Sequence, residues 1–185
     1  MEDARIVEMY FERNETAIEE TQKKYGRYCH YIAYNILYSD PDAEECVNDT
    51  YLRAWEAMPP HRPSKLATFL GKITRNLALN RYAYEHAKKR GDGVDVALDE
   101  LAEVLADPES ETGEDEILGL RELLNAFMET LTEDARVIFV RRYWYMCRVA
   151  QIAKDLGLTE SRVKVTLHRT REKLKAYLEK EGVTL

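Results

Sequence analysis

Long apolar runs, turn-forming residues and paired cysteines are all scarce in this chain, and each scarcity removes a class of protein. No stretch of 18 consecutive apolar residues occurs, so no membrane span is expected. Glycine and proline number only 8 and 5 among 185 residues, which favours long helices over many short strands. The 3 cysteines, Cys29, Cys46 and Cys147, stand far apart with no C-x-x-C pair. That pattern argues for reduced thiols in a cytoplasm rather than a disulfide frame. The 4 histidines, His30, His61, His86 and His168, are dispersed, whereas a zinc site needs convergent ligands. The amino end, "MEDARIVEMYFERNE", has no basic region followed by an apolar core, so no secretory signal is expected there. No paired-carboxylate pocket, nucleophile–base set or phosphate-cradling glycine loop stands out. The expectation is a protein that is not an enzyme and carries no cofactor or metal.

Hydrophobic residues make up 45% of the chain, enough for packed cores. The formal net charge is −7, but it is unevenly parcelled. Residues 1–60 carry −7, 61–90 carry +7, 91–135 carry −14 and 136–185 carry +7. Exposed charges are screened beyond about 8–10 Å at ordinary salt. A phosphate therefore answers to the nearest patch, and two basic segments can each meet nucleic acid despite the acidic total.

Hydrophobic spacing predicts a first amphipathic helix from Ala17 to about Tyr38, with Ile18, Thr21, Tyr25, Tyr28, Cys29, Ile32 and Ile36 on one side. A second runs from Asp40, read as its cap, with Pro41 at its first position, to about Met58. "PPHRP" stops it. Ser64 is expected to cap a third helix reaching about Arg90, with Leu66, Phe69, Leu70, Ile73 and Leu77 inward. Residues 91–113 read as an acidic linker, extended by self-repulsion, within which "VALDELAEVL" has the composition for a helical turn or two. Helices then follow at 114–131, 133–145, 148–156 and 159–180. The fold class is all-α: two small helical domains, 1–90 and 114–185, joined by the linker.

Two stretches carry chemistry. In "RVAQIAKDLGLTESRVKVTLHRTREKL", Val149, Ile152, Ala153 and Leu156 form a buried stripe, Gly157 sits where a left-handed residue is needed, and Thr159 can cap the next helix. That helix turns Val163, Leu167, Thr170 and Leu174 inward, and Arg162, Lys164, Val165, His168, Arg169 and Arg171 outward or sideways. Helix, glycine turn and basic helix in that order read as a helix-turn-helix, whose second helix fits the major groove. The other stretch, "TFLGKITRNLALNRYAYEHAKKR", mixes Lys72, Arg75 and Arg81 with Asn76, Asn80, Tyr82 and Tyr84. Bases and aromatics together suit single-stranded nucleic acid, where nucleobases stack or flip out. The spacing alone equally allows a core helix with a solvated basic side.

"DAEECVNDTYLRAWEAM", then "FLGKITRNLALNRY", then a late helix-turn-helix resembles a bacterial RNA polymerase sigma factor of the extracytoplasmic-function (ECF) type, over nearly the whole chain. The resemblance implies a transcription initiation factor in the cytoplasm, partnered by core polymerase and promoter DNA, with an anti-sigma protein as a further partner often met in the family. It implies that Asp42, Glu45, Asp49, Leu52 and Trp55 dock on the clamp helices of polymerase's largest subunit. It implies that Lys72, Arg75, Asn76, Asn80, Arg81 and Tyr82 read and help melt the minus-ten element. It assigns Arg162, Lys164, Val165, His168, Arg169 and Arg171 to the minus-thirty-five element, and the acidic linker to the enzyme's RNA exit path. Four positions depart from the family pattern: Asn80 stands where Asp is common, Cys147 and Arg148 where a good cap is expected, and His168 where an aromatic is more usual. A stand-alone helix-turn-helix regulator of duplex DNA would explain 114–180 but leave 68–84 and the linker idle. A protein-binding helical scaffold would leave the outward bases of 162–171 without a task.

Overall fold

The computed structural model describes residues 1–86, 97, 100, 101 and 114–181, and among these every regular element is a helix. In chain order they are α1 (Asp3–Phe11), α2 (Thr16–Leu37), α3 (Asp40–Ala57), α4 (Leu66–His86), α5 (Glu114–Thr130), α6 (Glu133–Tyr143), α7 (Val149–Leu156) and α8 (Glu160–Lys180). Ala97, Glu100 and Leu101 are also helical. The rest of the expected linker 91–113, and the expected last turn of the third helix at 87–90, lie outside the described residues. The chain divides into two compact units, Met1–Arg90 and Gly91–Leu185. Among the described residues no helix is long and apolar enough to cross a membrane.

In the first unit, α2, α3 and α4 pack on one another and α1 closes the bundle against α2. The core gathers Ile6, Val7 and Tyr10 of α1, Ala17 and Cys29 of α2, Val47, Tyr51 and Ala54 of α3, and Leu66 and Leu70 of α4. Periodicity located three of these helices but not α1, whose nine residues are too short a window to declare a period. Buried Tyr10 satisfies its hydroxyl on Thr21 Oγ1 at 2.9 Å, which locks α1 to α2. Deeper in, the Thr50 and Thr74 hydroxyls lie 3.1 Å apart, and each bonds back to the carbonyl four residues earlier. The buried threonine hydroxyls are thus matched inside the three-helix contact, while the Tyr51 hydroxyl is buried without a hydrogen-bond partner.

Two expected helix caps lie one residue away from the residue that precedes the helix. Ser39, not Asp40, occupies the cap of α3 and accepts from the Asp42 N–H at 3.5 Å, while Asp40 already belongs to the helix. The first backbone bond of α4 runs from the Phe69 N–H to the Lys65 carbonyl, so Lys65 rather than Ser64 precedes it. At α3 two adjacent residues could each cap and only backbone geometry chooses between them, whereas at α4 the helix starts one residue later than its serine, at a lysine whose side chain has no acceptor to cap with. α4 crosses α2 closely at Gly71: a Cβ there would lie 2.5 Å from the Tyr28 hydroxyl oxygen.

In the second unit, α8 is the central strut, touched by α5, α6 and α7. Its buried stripe is Val163, Leu167, Thr170, Leu174 and Leu178, and the Tyr177 ring packs on Phe127 of α5 at 5.6 Å. α6 is capped by Thr132, which accepts from the Ala135 N–H. The last turn of α6 buries a charge. Arg142 is 3% exposed, donates to the Cys147 carbonyl at 3.2 Å, and faces Glu100, 3.3 Å from its Nε and 3.4 Å from Nη2. Tyr143 donates to Glu100 at 3.0 Å, and Arg171 of α8 donates to both the Tyr143 hydroxyl (2.8 Å) and Glu100 (3.4 Å). A residue counted in the acidic linker is therefore an internal counter-charge of this unit.

Two stability outcomes follow from these contacts. Gly71→Ala should lower the stability of the first unit by about 1–2 kcal/mol, because overpacking against Tyr28 outweighs the roughly 1 kcal/mol gained by removing a mid-helix glycine. Urea unfolding reads this, and a stabilised variant would refute the close approach. Glu100→Gln should destabilise the second unit by about 2–3 kcal/mol, since it strands the Arg142 charge. Amide exchange across α6 and α8 in the full chain measures it, and unaltered protection there would rule the cluster unimportant.

Candidate nucleic-acid interface

The turn between α7 and α8 is built as its residues dictate. Gly157 closes α7 in the left-handed region at φ 63°, where a side chain would be strained. Thr159 then caps α8, accepting from the Arg162 N–H at 3.2 Å. α7 begins at Arg148 with no side-chain cap, in keeping with the expectation that Cys147 and Arg148 are poor caps; Cys147 itself is buried. With the buried stripe of α8 fixed against α6 and α7, the opposite face is left open. It presents Arg162, Lys164, Val165, His168 and Arg169, all exposed, with Val165 45% exposed as an apolar side chain among bases. Such a face offers donors for phosphates and base edges, and an aliphatic contact for a thymine methyl. Lys164 lies 3.9 Å from Glu160, both well exposed, so this pair hardly restrains it.

Arg171 is the exception in its set. Only 15% of its side chain is exposed, and its guanidinium is engaged by Glu100 and Tyr143. The structure places it on the flank of the buried stripe, inside the second unit's ion cluster rather than on the open face. Burial, above all, pushes the Tyr143 phenol up to about 12, so it stays a hydroxyl donor. Nothing in the sequence pointed to Glu100 as its partner, 71 residues away.

On the first unit, Asp42, Glu45, Asp49 and Leu52 share one outward face of α3 at helical spacing, and Leu52 is 54% exposed. Trp55 is only partly exposed. Its ring rests 6.0 Å from the Tyr10 ring, the Arg13 guanidinium stacks 5.2 Å over it, and Arg13 donates to its carbonyl at 2.8 Å. Much of Trp55 is thus spent on holding the α1–α2 turn. The six expected minus-ten residues of α4 scatter. Lys72, Asn76 and Asn80 are exposed, and Arg75 is half-buried, its guanidinium pKa drawn below the ordinary value by burial. Tyr82 is 4% exposed and belongs to the core, so it has no free face for stacking. Arg81 is held by three carboxylates: Asp42, Glu45 and Glu85.

Sequence reasoning set Tyr82 beside the bases, but the aromatic that faces outward is Tyr84, 88% exposed. It falls four residues after Asn80 and eight after Asn76, on the same side of α4. That side borders a groove of about 460 Å³ between α3 and α4. Ala57, Phe69, Ile73 and Leu77 give it apolar walls, Asn76 and Asn80 give it amides, and Arg53 and Glu56 line it as an ion pair at 3.0 Å. An apolar slot edged by amides, with an aromatic on the same stripe, can accept a planar nucleobase. The signal for it was the i, i+4 series Phe69, Ile73, Leu77 beside the asparagines, which reads on its own as core.

Comparison with known proteins matches these two units separately. The Sigma-70 region 2 family model matches residues 22–87, and the Sigma-70, region 4 family model matches residues 121–174. The chain is 31% identical over 144 residues to a probable RNA polymerase sigma factor, RfaY, of Xanthomonas campestris pv. campestris, covering 76% of this chain and 35% of that protein. It thus spans about a third of that relative's length. It is also 31% identical over 147 residues to the ECF RNA polymerase sigma factor SigL of Mycobacterium tuberculosis, covering 77% of each chain. With a region 2 bundle and a region 4 helix-turn-helix in one polypeptide, the chain belongs to the ECF type of RNA polymerase sigma factors, the initiation subunits that direct polymerase to promoters.

Proposed function

We propose that this chain binds core RNA polymerase through α3 and directs it to promoters by reading two elements with two different surfaces. In this reading residues 1–90 dock on polymerase and open the minus-ten element, 91–113 connect, and 114–185 read the minus-thirty-five element as duplex. The open face of α8 supplies the duplex reader: Arg162, Lys164, Val165, His168 and Arg169. Asn76, Asn80 and Tyr84, with the groove between α3 and α4, supply the single-strand reader. The observation that carries the proposal is that groove, because a regulator of intact duplex has no use for a slot that fits an unstacked base. Phosphate attraction is local to each reader and falls with salt. The acidic α3 face repels DNA and suits a basic protein partner. Core binding followed by run-off transcription from a promoter library tests the whole. A protein that binds duplex DNA specifically but never core would show it to be an ordinary helix-turn-helix regulator.

Residue-level outcomes separate the two readers. Lys164→Ala should reduce use of the minus-thirty-five element about fivefold or more and lessen the salt dependence of promoter binding, with core affinity unchanged. Core affinity lost in that variant would mean α8 is misassigned. Tyr84→Ala should lower open-complex formation by about tenfold, the worth of one stacked base, while duplex contacts upstream persist. Permanganate reactivity of unpaired thymines reads this, and full reactivity in the variant would remove Tyr84 from the groove's function.

A further inference from the structure

We infer that Arg81 is a positioning residue for polymerase docking, gathering Asp42, Glu45 and Glu85 into one acidic patch that spans α3 and α4 and meets basic side chains of the polymerase. The inference rests on the reading of α3 as the polymerase-facing helix, and it extends that surface onto α4 through Glu85.

All three nitrogens of the Arg81 guanidinium are engaged. Nη2 donates to Asp42 Oδ1 at 2.6 Å, Nη1 to Glu45 Oε2 at 2.7 Å and Nε to Glu85 Oε1 at 3.1 Å. The planar fork fixes the relative directions of its partners, which a lysine could not do. Asp42 and Glu45 sit one turn apart on α3, and Glu85 sits one turn beyond Arg81 on α4, so the clasp ties the two helices together. Arg81 and Asp42 lie inside, 28% and 30% exposed, against 63% for Glu45 and 40% for Glu85. Three carboxylates around one guanidinium leave two negative charges over, turned towards solvent. A DNA phosphate approaching Arg81 would meet that surplus first. A lysine- or arginine-bearing protein surface would meet carboxylates already held in place. Long acidic side chains otherwise lose rotamer freedom when a partner captures them, so fixing them beforehand favours association.

The experiment compares Arg81→Gln and Glu85→Gln in the full chain, measuring affinity for core polymerase across a salt series and preference among minus-ten sequences. Arg81→Gln should weaken core binding about threefold to fivefold although it removes a positive charge from an acidic face, and Arg81→Lys should restore only part of the loss. Relative preference among minus-ten sequences should stay as in the parent. Glu85→Gln, which leaves both α3–α4 bonds in place, should weaken core binding about twofold and flatten its salt dependence. If Arg81→Gln keeps core affinity and loses minus-ten discrimination, Arg81 is a DNA contact and the inference is wrong. Should Arg81→Gln fail to fold, Glu85→Gln still decides, an unchanged affinity and salt slope overturning the extended patch. Asp49→Ala and Leu52→Ala share the α3 face without touching Arg81. If they leave core binding intact, the assignment of α3 itself fails. If they weaken it while the Arg81 and Glu85 variants do not, only this inference fails.

Discussion

The guanidinium of Arg142 is almost wholly withdrawn from water, and the second unit is stabilised because Glu100 meets that charge where it stands. A lone buried cation costs far more than an exposed ion pair returns. The counter-charge is therefore obligatory, and it brings other groups with it. Tyr143 and Arg171 close around the same carboxylate, which pins the last turn of α6 to the middle of α8. With α8 held along that line, its opposite face is the one left open to a partner. The direction in which this helix presents Arg162, Lys164 and Arg169 is a by-product of satisfying a charge on the far side.

The same accounting sorts the arginines among the described residues. Sequence composition shows two basic segments in an acidic protein, and counting alone treats every arginine in them as available. The structure divides them. Arg81 and Arg171 are occupied by carboxylates, Arg142 is interior, and Arg162 and Arg169 stand in solvent. A guanidinium already surrounded by acceptors contributes shape and rigidity, while one in water contributes attraction. The local charge that reaches a phosphate is thus smaller than the segment totals suggest, and it is concentrated on fewer side chains.

How much of this could be read beforehand depends on chain distance. Helical period, the glycine at 157, the threonine at 159 and the proline at 41 act within a turn or two, and they place α2 to α8 to within a few residues. The all-α class follows from the same local rules. Side-chain direction within α4 was harder, because Tyr82 and Tyr84 differ by only two positions yet one is core and the other is open. Phase errors of that size are invisible until the neighbours of a helix are known. The clasps were not legible at all. Arg81 reaches Asp42 across 39 residues and Arg171 reaches Glu100 across 71, and no local pattern encodes a partner that far off. Of the residues expected on the two surfaces, five of six on α8 do face outward, whereas on α4 Tyr82 is core and Arg81 is held by carboxylates.

The near-collision of Gly71 with Tyr28 bears on how such chains diverge. The two positions are 43 apart in sequence but share one small volume, with the phenol tip filling the space a methyl group would need. The constraint runs one way: a larger side chain on α4 demands a shorter one on α2. Across descendants of this fold a side chain at 71 should appear only where position 28 has already shortened, so that inheritance at one site records the state of the other.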